Sequence, residues 1–213
     1  MTRPKRAVRE NAWLGRAKRI MALAQTGLAY AANDYERDRY RELEAISLAM
    51  MADLTGSEVA AIGPFFEGNC GYQTPKVDVR AGVIREGKIL LVREKADGRW
   101  APPGGFADIG CSPARTAVKE TREEAGLRVE PVRLIAVLDK ALHPHPPSPY
   151  HIYKILFLCR ERGGKLAPGW EVLDAAFFDP RKLPPLSKER ITRRQIGLFF
   201  EYRKHPSEPP VFD

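Results

Sequence analysis

Apolar residues recur at helical intervals over the first third of the chain and at alternating intervals beyond it. Trp13, Ala17, Ile20 and Ala24 fall on one stripe. Tyr35, Arg39 and Tyr40 lead into a second, in which Leu43, Ile46 and Met50 follow at three- and four-residue steps. Asn33-Asp34 precedes that stripe and reads as its cap. A third short helix is expected from about Ser57 to Phe66. From Thr74 the period changes to two: Val77, Val79 and Ala81 alternate with Asp78 and Arg80, and Ile89-Leu90-Leu91-Val92 follows the turn residues Glu86-Gly87-Lys88. Further strands are expected at Val132–Leu138, Ile152–Cys159 and Ala175–Phe178, and a last helix at Lys188–Tyr202. The Pro-rich stretch from His143 to Tyr150 reads as a loop between strands. The pattern is α+β, preceded by a small N-terminal helical domain. The expected boundaries are 1–70 for the helical extension, 71–205 for the mixed domain and 206–213 for a C-terminal tail.

The segment from Gly104 to Leu127, GGFADIGCSPARTAVKETREEAGL, carries the candidate chemistry. Ser112 followed by Pro113 is a helix start, and Gly126 is a stop. At 100° per residue, Ala114, Ala117, Val118, Thr121 and Ala125 share an inward arc. Arg115, Lys119 and Arg122 share a second. Glu120, Glu123 and Glu124 crowd a third. Like charges at that spacing repel, and carboxylates near a helix C-terminus oppose the macrodipole by about 0.3–1 kcal/mol each. A bound cation reverses both penalties, and clustered carboxylates suit Mg²⁺ or Mn²⁺. The plain alternative is a solvated acidic face with Lys119 bridging to Glu123. The Pro-Pro-Gly-Gly turn ahead of the helix, which admits a ligand close to the backbone, favours the cation.

Composition narrows the class without choosing the chemistry. Of 213 residues, 44% are hydrophobic and 29% charged, as in ordinary globular chains. No apolar run approaches the ~18–20 residues of a membrane span, so no membrane role is expected, and the basic N-terminus lacks the apolar stretch of a secretory signal. The three cysteines, Cys70, Cys111 and Cys159, are scattered and suit a reducing cytoplasm rather than zinc or disulfides. A formal charge of +8 is compatible with phosphorylated small molecules or with nucleic acid. Arg3, Lys5, Arg6 and Arg9 at the start read as a frayed end rather than a binding arm.

The helix and its turn resemble the Nudix box, G-x5-E-x7-R-E-U-x-E-E-x-G-U with U a bulky aliphatic. Gly105, Glu120, Glu123, Glu124, Gly126 and Leu127 match; Cys111 stands at the first Glu, Lys119 at the Arg and Thr121 at an aliphatic. Further stretches, WLGRAKRIMALAQTGLAY at 13–30, GYQTPKVDVRAGVI at 71–84, DGRWAPPGGFADIG at 97–110, DKALHPHPPSPYHIYKI at 139–155 and FFDPRKLPPLS at 177–187, resemble the Nudix subfamily with an N-terminal helical extension that includes CDP-choline pyrophosphatase. Some members of that subfamily carry the name ADP-ribose pyrophosphatase.

The resemblance implies an α/β/α sandwich with a mixed sheet. It also implies metal-dependent hydrolysis of a nucleoside diphosphate linked to a group X, with Mg²⁺ or Mn²⁺ as cofactor and a homodimeric assembly. CDP-choline or a related CDP-alcohol is the first substrate expected, and ADP-ribose the second. A degenerate module that binds nucleotide or RNA without hydrolysis is the reading from another class. Glu120 and Glu124 are the implied metal ligands, with the Gly105 carbonyl as a further oxygen. Glu123 is either a third ligand or the residue that orients the attacking water. Asp174, and more weakly Glu171, are alternative bases. Arg80 and Lys140 are candidates for phosphate. His143, His145, Tyr150, His151 and Tyr153, in or beside the Pro-rich loop, are candidates for stacking on a base or enclosing a choline-like cation.

Overall fold

The computed structural model describes residues 11–68 and 71–213; Cys70 and the basic residues before Asn11 lie outside them. The chain forms two compact units. One comprises Met1–Pro75 with Pro147–His151, the other Lys76–Pro146 with Ile152–Asp213.

The first unit is helical: α1 (Ala12–Tyr30), α2 (Asp34–Thr55), α3 (Val59–Ile62) and a 3₁₀ turn, Gly63–Phe65. Asn33 caps α2 as expected, its side chain accepting from the Glu36 N–H at 2.9 Å. The buried seam keeps Ala17 and Ala24 of the expected stripe and departs from it at Trp13. Leu14, Ala17 and Met21 pack against Met51, Ala52 and Ile62, whereas Trp13 is 57% exposed and Ile46 46%. The helices meet through small and polar residues, which a search for large apolar side chains passes over. Ser47 Oγ donates to the Ala17 carbonyl at 2.7 Å, and a Cβ on Gly27 would fall 2.3 Å from the Tyr40 ring.

The second unit is a seven-stranded mixed sheet with a helix on each face. Its elements are β1 (Lys76–Arg85), β2 (Lys88–Glu94), β3 (Trp100–Ala101), α4 (Pro113–Ala125), β4 (Leu127–Asp139), β5 (Ile152–Gly164), β6 (Val172–Phe178), α5 (Arg193–Lys204) and β7 (Val211–Phe212). The strand order is β3-β2-β1-β5-β4-β7, with β6 also on β2. β1 runs parallel to β5 and antiparallel to β2. Glu86 and Gly87, with φ of 49° and 76°, make the two-residue turn between β1 and β2, as an antiparallel hairpin's twist requires.

Alternation along the strands sends Val79, Ala81, Leu90 and Val92 to Ala117 and Ala125 of α4. The opposite face sends Ile89, Leu91 and Leu156 to Ile196 and Phe199 of α5. The last helix starts later than its periodicity suggests, because Thr192 and Gln195 form a reciprocal capping box that sets its first turn.

Candidate active site

The 113–125 helix forms as the sequence predicts. Ser112 accepts from the Arg115 N–H, Pro113 occupies the first turn, and Gly126 closes the helix in the left-handed region at φ 70°. The turn before it is pinned onto β1: Ala81 N–H donates to the Pro103 carbonyl at 2.9 Å, and Val79 N–H to the Gly105 carbonyl at 2.9 Å. The Gly105 carbonyl is therefore already a strand-like acceptor. Gly104, at φ 147°, approaches β1 so closely that a Cβ would lie 1.9 Å from the Val79 carbonyl oxygen. Its N–H donates to Glu124 Oε2 at 2.8 Å.

This packing divides the three glutamates of the helix. Glu120 and Glu124 are 7% and 5% exposed, among the buried residues of the helix, while Glu123 is exposed. Carboxylate oxygens of Glu120, Glu124 and Glu171 lie within 4.8 Å of one another. Glu171 arrives from the loop between β5 and β6, which is tied to the end of α4 by Gly169 N–H to the Glu124 carbonyl at 3.1 Å and Ala167 N–H to the Ala125 carbonyl at 3.2 Å. Burial pushes the Glu124 carboxyl up to about 8, against the opposing pull of Arg80 and the Gly104 N–H. Burial also raises Glu120, opposed by Lys119. Three oxygen-donor carboxylates, two of them buried and under-compensated, fit a hard divalent cation. Lys119 does not fill that place. Its ammonium lies 3.0 Å from Asp108, 3.3 Å from Glu120 Oε1 and 3.5 Å from Glu123.

Beside the turn lies a group of buried charges. Asp78 accepts from Arg80 Nη2 at 2.7 Å and Nε at 3.1 Å, and from Lys154 Nζ. Burial alone would raise Asp78; Arg80 and Lys154 outweigh it and hold its carboxyl at about 2. Arg80 Nη1 donates to the Pro102 carbonyl at 3.3 Å and lies 3.8 Å from Glu94, which Arg190 meets at 2.9 Å. Arg80, a candidate for phosphate in the sequence, is placed inside this buried group, 4% exposed. The signal for the group was present as charges at same-face positions, Asp78 and Arg80, in a strand whose neighbours are all apolar.

The remaining candidates fall in both units. Asp174 is exposed on β6, its carboxylate accepting from the Ala175 N–H at 2.8 Å. Lys140 is buried and pairs with Glu189 at 2.6 Å. His143 Nε2 lies 2.9 Å from Asp213. His145 is buried, with Nδ1 2.6 Å from the Lys188 carbonyl and Nε2 3.1 Å from Gln195. Burial pulls its imidazole down to about 4. Tyr153 is 41% exposed on β5. Tyr150 and His151 belong to the helical unit, where Tyr150 meets Phe65 edge-on at 5.6 Å.

Comparison with known proteins agrees with this architecture. Residues 75–198 match the model of the NUDIX domain, and residues 11–66 match that of a UDP-X-like, N-terminal oligomerisation domain. The chain is 49% identical over 201 residues to YjhB of Bacillus subtilis, provisionally named an ADP-ribose pyrophosphatase, covering 94% of this chain and 97% of that protein. A crystal structure of a UDP-X diphosphatase aligns with a TM-score of 0.61 and 31% identity, over 94% of this chain and 98% of the other. An ADP-ribose pyrophosphatase from Streptococcus suis aligns with a TM-score of 0.61 and 41% identity, over 66% of this chain and all of that one.

Proposed function

The chain belongs to the Nudix family and is a hydrolase of pyrophosphate bonds, and from that premise we propose that it cleaves nucleoside diphosphates linked to a group X into a nucleoside monophosphate and phosphorylated X. The observation that carries this reading is the convergence of Glu120, Glu124 and Glu171 at one end of α4. These three residues would hold the divalent cation. When bound, Mg²⁺ or Mn²⁺ supplies charge neutralisation on the diphosphate and a water of lowered pKa.

The chain's own residues supply position. Glu124 is held by the Gly104 N–H, and Glu171 by the backbone ties of its loop to α4. Glu123 stands outside the triplet, exposed on the next position of the same helix. We assign it to orienting water and accepting its proton, a role that needs solvent access. Lys119 then holds Glu123 and Glu120 on either side of one ammonium.

Two substrates fit the class. ADP-ribose is supported by the names of the Bacillus and Streptococcus relatives. CDP-choline, or another CDP-alcohol, is supported by the resemblance of the 139–155 segment, with its three His and two Tyr in or beside the Pro-rich loop. Steady-state kcat/KM on both, with products identified by chromatography, separates them. AMP with ribose phosphate assigns the first; CMP with phosphocholine assigns the second. Turnover of neither, with other sugar nucleotides also inert, would remove the reading.

The helical unit supports a homodimer. Its matched model is described as an oligomerisation domain, and Leu23, Tyr30, Tyr35, Leu43 and Ile46 are exposed on its helices. Light scattering on the purified chain is expected to give twice 23.9 kDa; a monomer at micromolar concentration would contradict it.

A further inference from the structure

The buried charges on β1 and β5 have no part in the reading above, and stability does not explain them. Buried ion pairs are frequently no more stable than apolar groups of the same volume. Here three full charges, Asp78, Arg80 and Lys154, are 5%, 4% and 1% exposed. Their geometry leads to the site in four short links. Lys154 Nζ donates to Asp78. Asp78 accepts two donors of Arg80. Arg80 Nη1 donates to the Pro102 carbonyl at 3.3 Å. Two residues on, the Gly104 N–H holds Glu124 at 2.8 Å. The first link is built into the sheet: Asp78 and Lys154 are direct partners in the parallel β1–β5 pairing, and Arg80 stands on the same face of β1.

We propose that Lys154 is a positioning residue: through Asp78 and Arg80 it fixes the Pro102–Gly104 turn, and so sets the Glu124 carboxylate where the cation binds. The inference rests on the reading of Glu120, Glu124 and Glu171 as the metal site. Asp78 is gripped from two sides, by Arg80 and by Lys154. Without the second grip the guanidinium and its carboxylate can turn together, and the Pro102 carbonyl loses a fixed donor. Partners one step removed from a metal ligand typically change metal affinity or activity by 10–100-fold when replaced; Lys154 acts through several links, so its effect falls at or below the lower end of that range.

The test is Lys154→Met, with Mn²⁺ affinity measured by electron paramagnetic resonance of the free ion alongside kcat and KM. The expected result is Mn²⁺ binding weakened about three- to tenfold, the low end of the effect of a direct partner, with a matching rise in the metal concentration needed for half-maximal rate. Leu156→Ala is the control. It lies two residues on, on the same face of β5 and fully buried, and it is expected to lower the melting temperature while leaving Mn²⁺ affinity within about twofold, because it removes volume and no charge. Arg80→Lys keeps the charge and loses the fork, and is expected to weaken Mn²⁺ binding like Lys154→Met; it serves if that variant does not fold. Unchanged Mn²⁺ affinity in the lysine or arginine variant overturns the inference and leaves the proposed reaction standing. So does equal loss in Leu156→Ala. A wild type that binds no Mn²⁺ overturns both.

Discussion

Replacing Glu124 with Gln removes a charge from a carboxyl that is 5% exposed and whose ionisation burial has pushed up to about 8. The displacement from an ordinary value of 4.5 is worth about 5 kcal/mol between the two protonation states. In the metal-free protein the folded state binds more protons than the unfolded state between pH 4.5 and about 8, so stability falls as pH rises through that window and the penalty is complete above it. At pH 7 it amounts to about 3 kcal/mol. The Gln side chain keeps an oxygen for the Gly104 N–H and carries no charge. The variant is therefore expected to be more stable than wild type in EDTA at pH 7, by up to about 3 kcal/mol or roughly 6–12 °C in melting temperature. The gain should vanish near pH 4.5. Adding Mg²⁺ should reverse the order, since only the carboxylate form gains from the ion. Differential scanning calorimetry at pH 5, 7 and 8, with and without Mg²⁺, measures all of this. A metal-free Glu124→Gln protein that melts below wild type at pH 7 refutes the reasoning, as does a gain that does not change with pH.

Glu171→Gln should weaken Mn²⁺ binding by about tenfold or more, since it removes one of three converging carboxylates; it should shift the melting temperature little, because Glu171 is exposed. Calorimetric titration decides it, and unchanged affinity would put Glu171 outside the site. His145 should make the fold acid-sensitive. Its Nδ1–H donates to the Lys188 carbonyl and its Nε2 accepts from the Gln195 amide, whose oxygen is committed to the Thr192 N–H. A protonated ring would face a donor with a donor. With its value lowered to about 4, its contribution is complete above pH 6.5 and is lost as pH falls towards 4, up to about 3 kcal/mol. Urea unfolding from pH 7 to 4 should show that loss, and a His145→Gln variant should flatten it; an equally steep variant would contradict the assignment.

Much of this was legible because local signals and tertiary packing agree. Ser112-Pro113 and Gly126 bound a helix wherever they fall, and Asn33 and Glu86-Gly87 are equally local devices. The seam of α1 and α2 was harder to read, because close packing selects Ser47 and Gly27 over larger apolar side chains. Two features of the site depended on chain path alone. Glu171 lies 47 residues from Glu124 and reaches it through a loop whose bonds to α4 are all backbone. Asp78 and Lys154 are 76 residues apart; each is an ordinary charged residue until the parallel pairing of β1 and β5 sets them side by side. The Pro-rich loop is divided between the units: His143 and His145 belong to the sheet unit, Tyr150 and His151 to the helical one.

The central claim is that this fold hydrolyses the diphosphate of an NDP-X compound with a cation held by Glu120, Glu124 and Glu171. Phosphorus NMR of ADP-ribose and of CDP-choline, followed with wild type and Glu124→Gln in Mg²⁺ and in EDTA, tests it most directly. The account predicts that the diphosphate resonances of at least one compound give way to two phosphomonoester signals, only with wild type and only with Mg²⁺. Intact diphosphate resonances in the presence of wild type and Mg²⁺, with nucleotide nevertheless bound, would contradict it and make the chain a binding module.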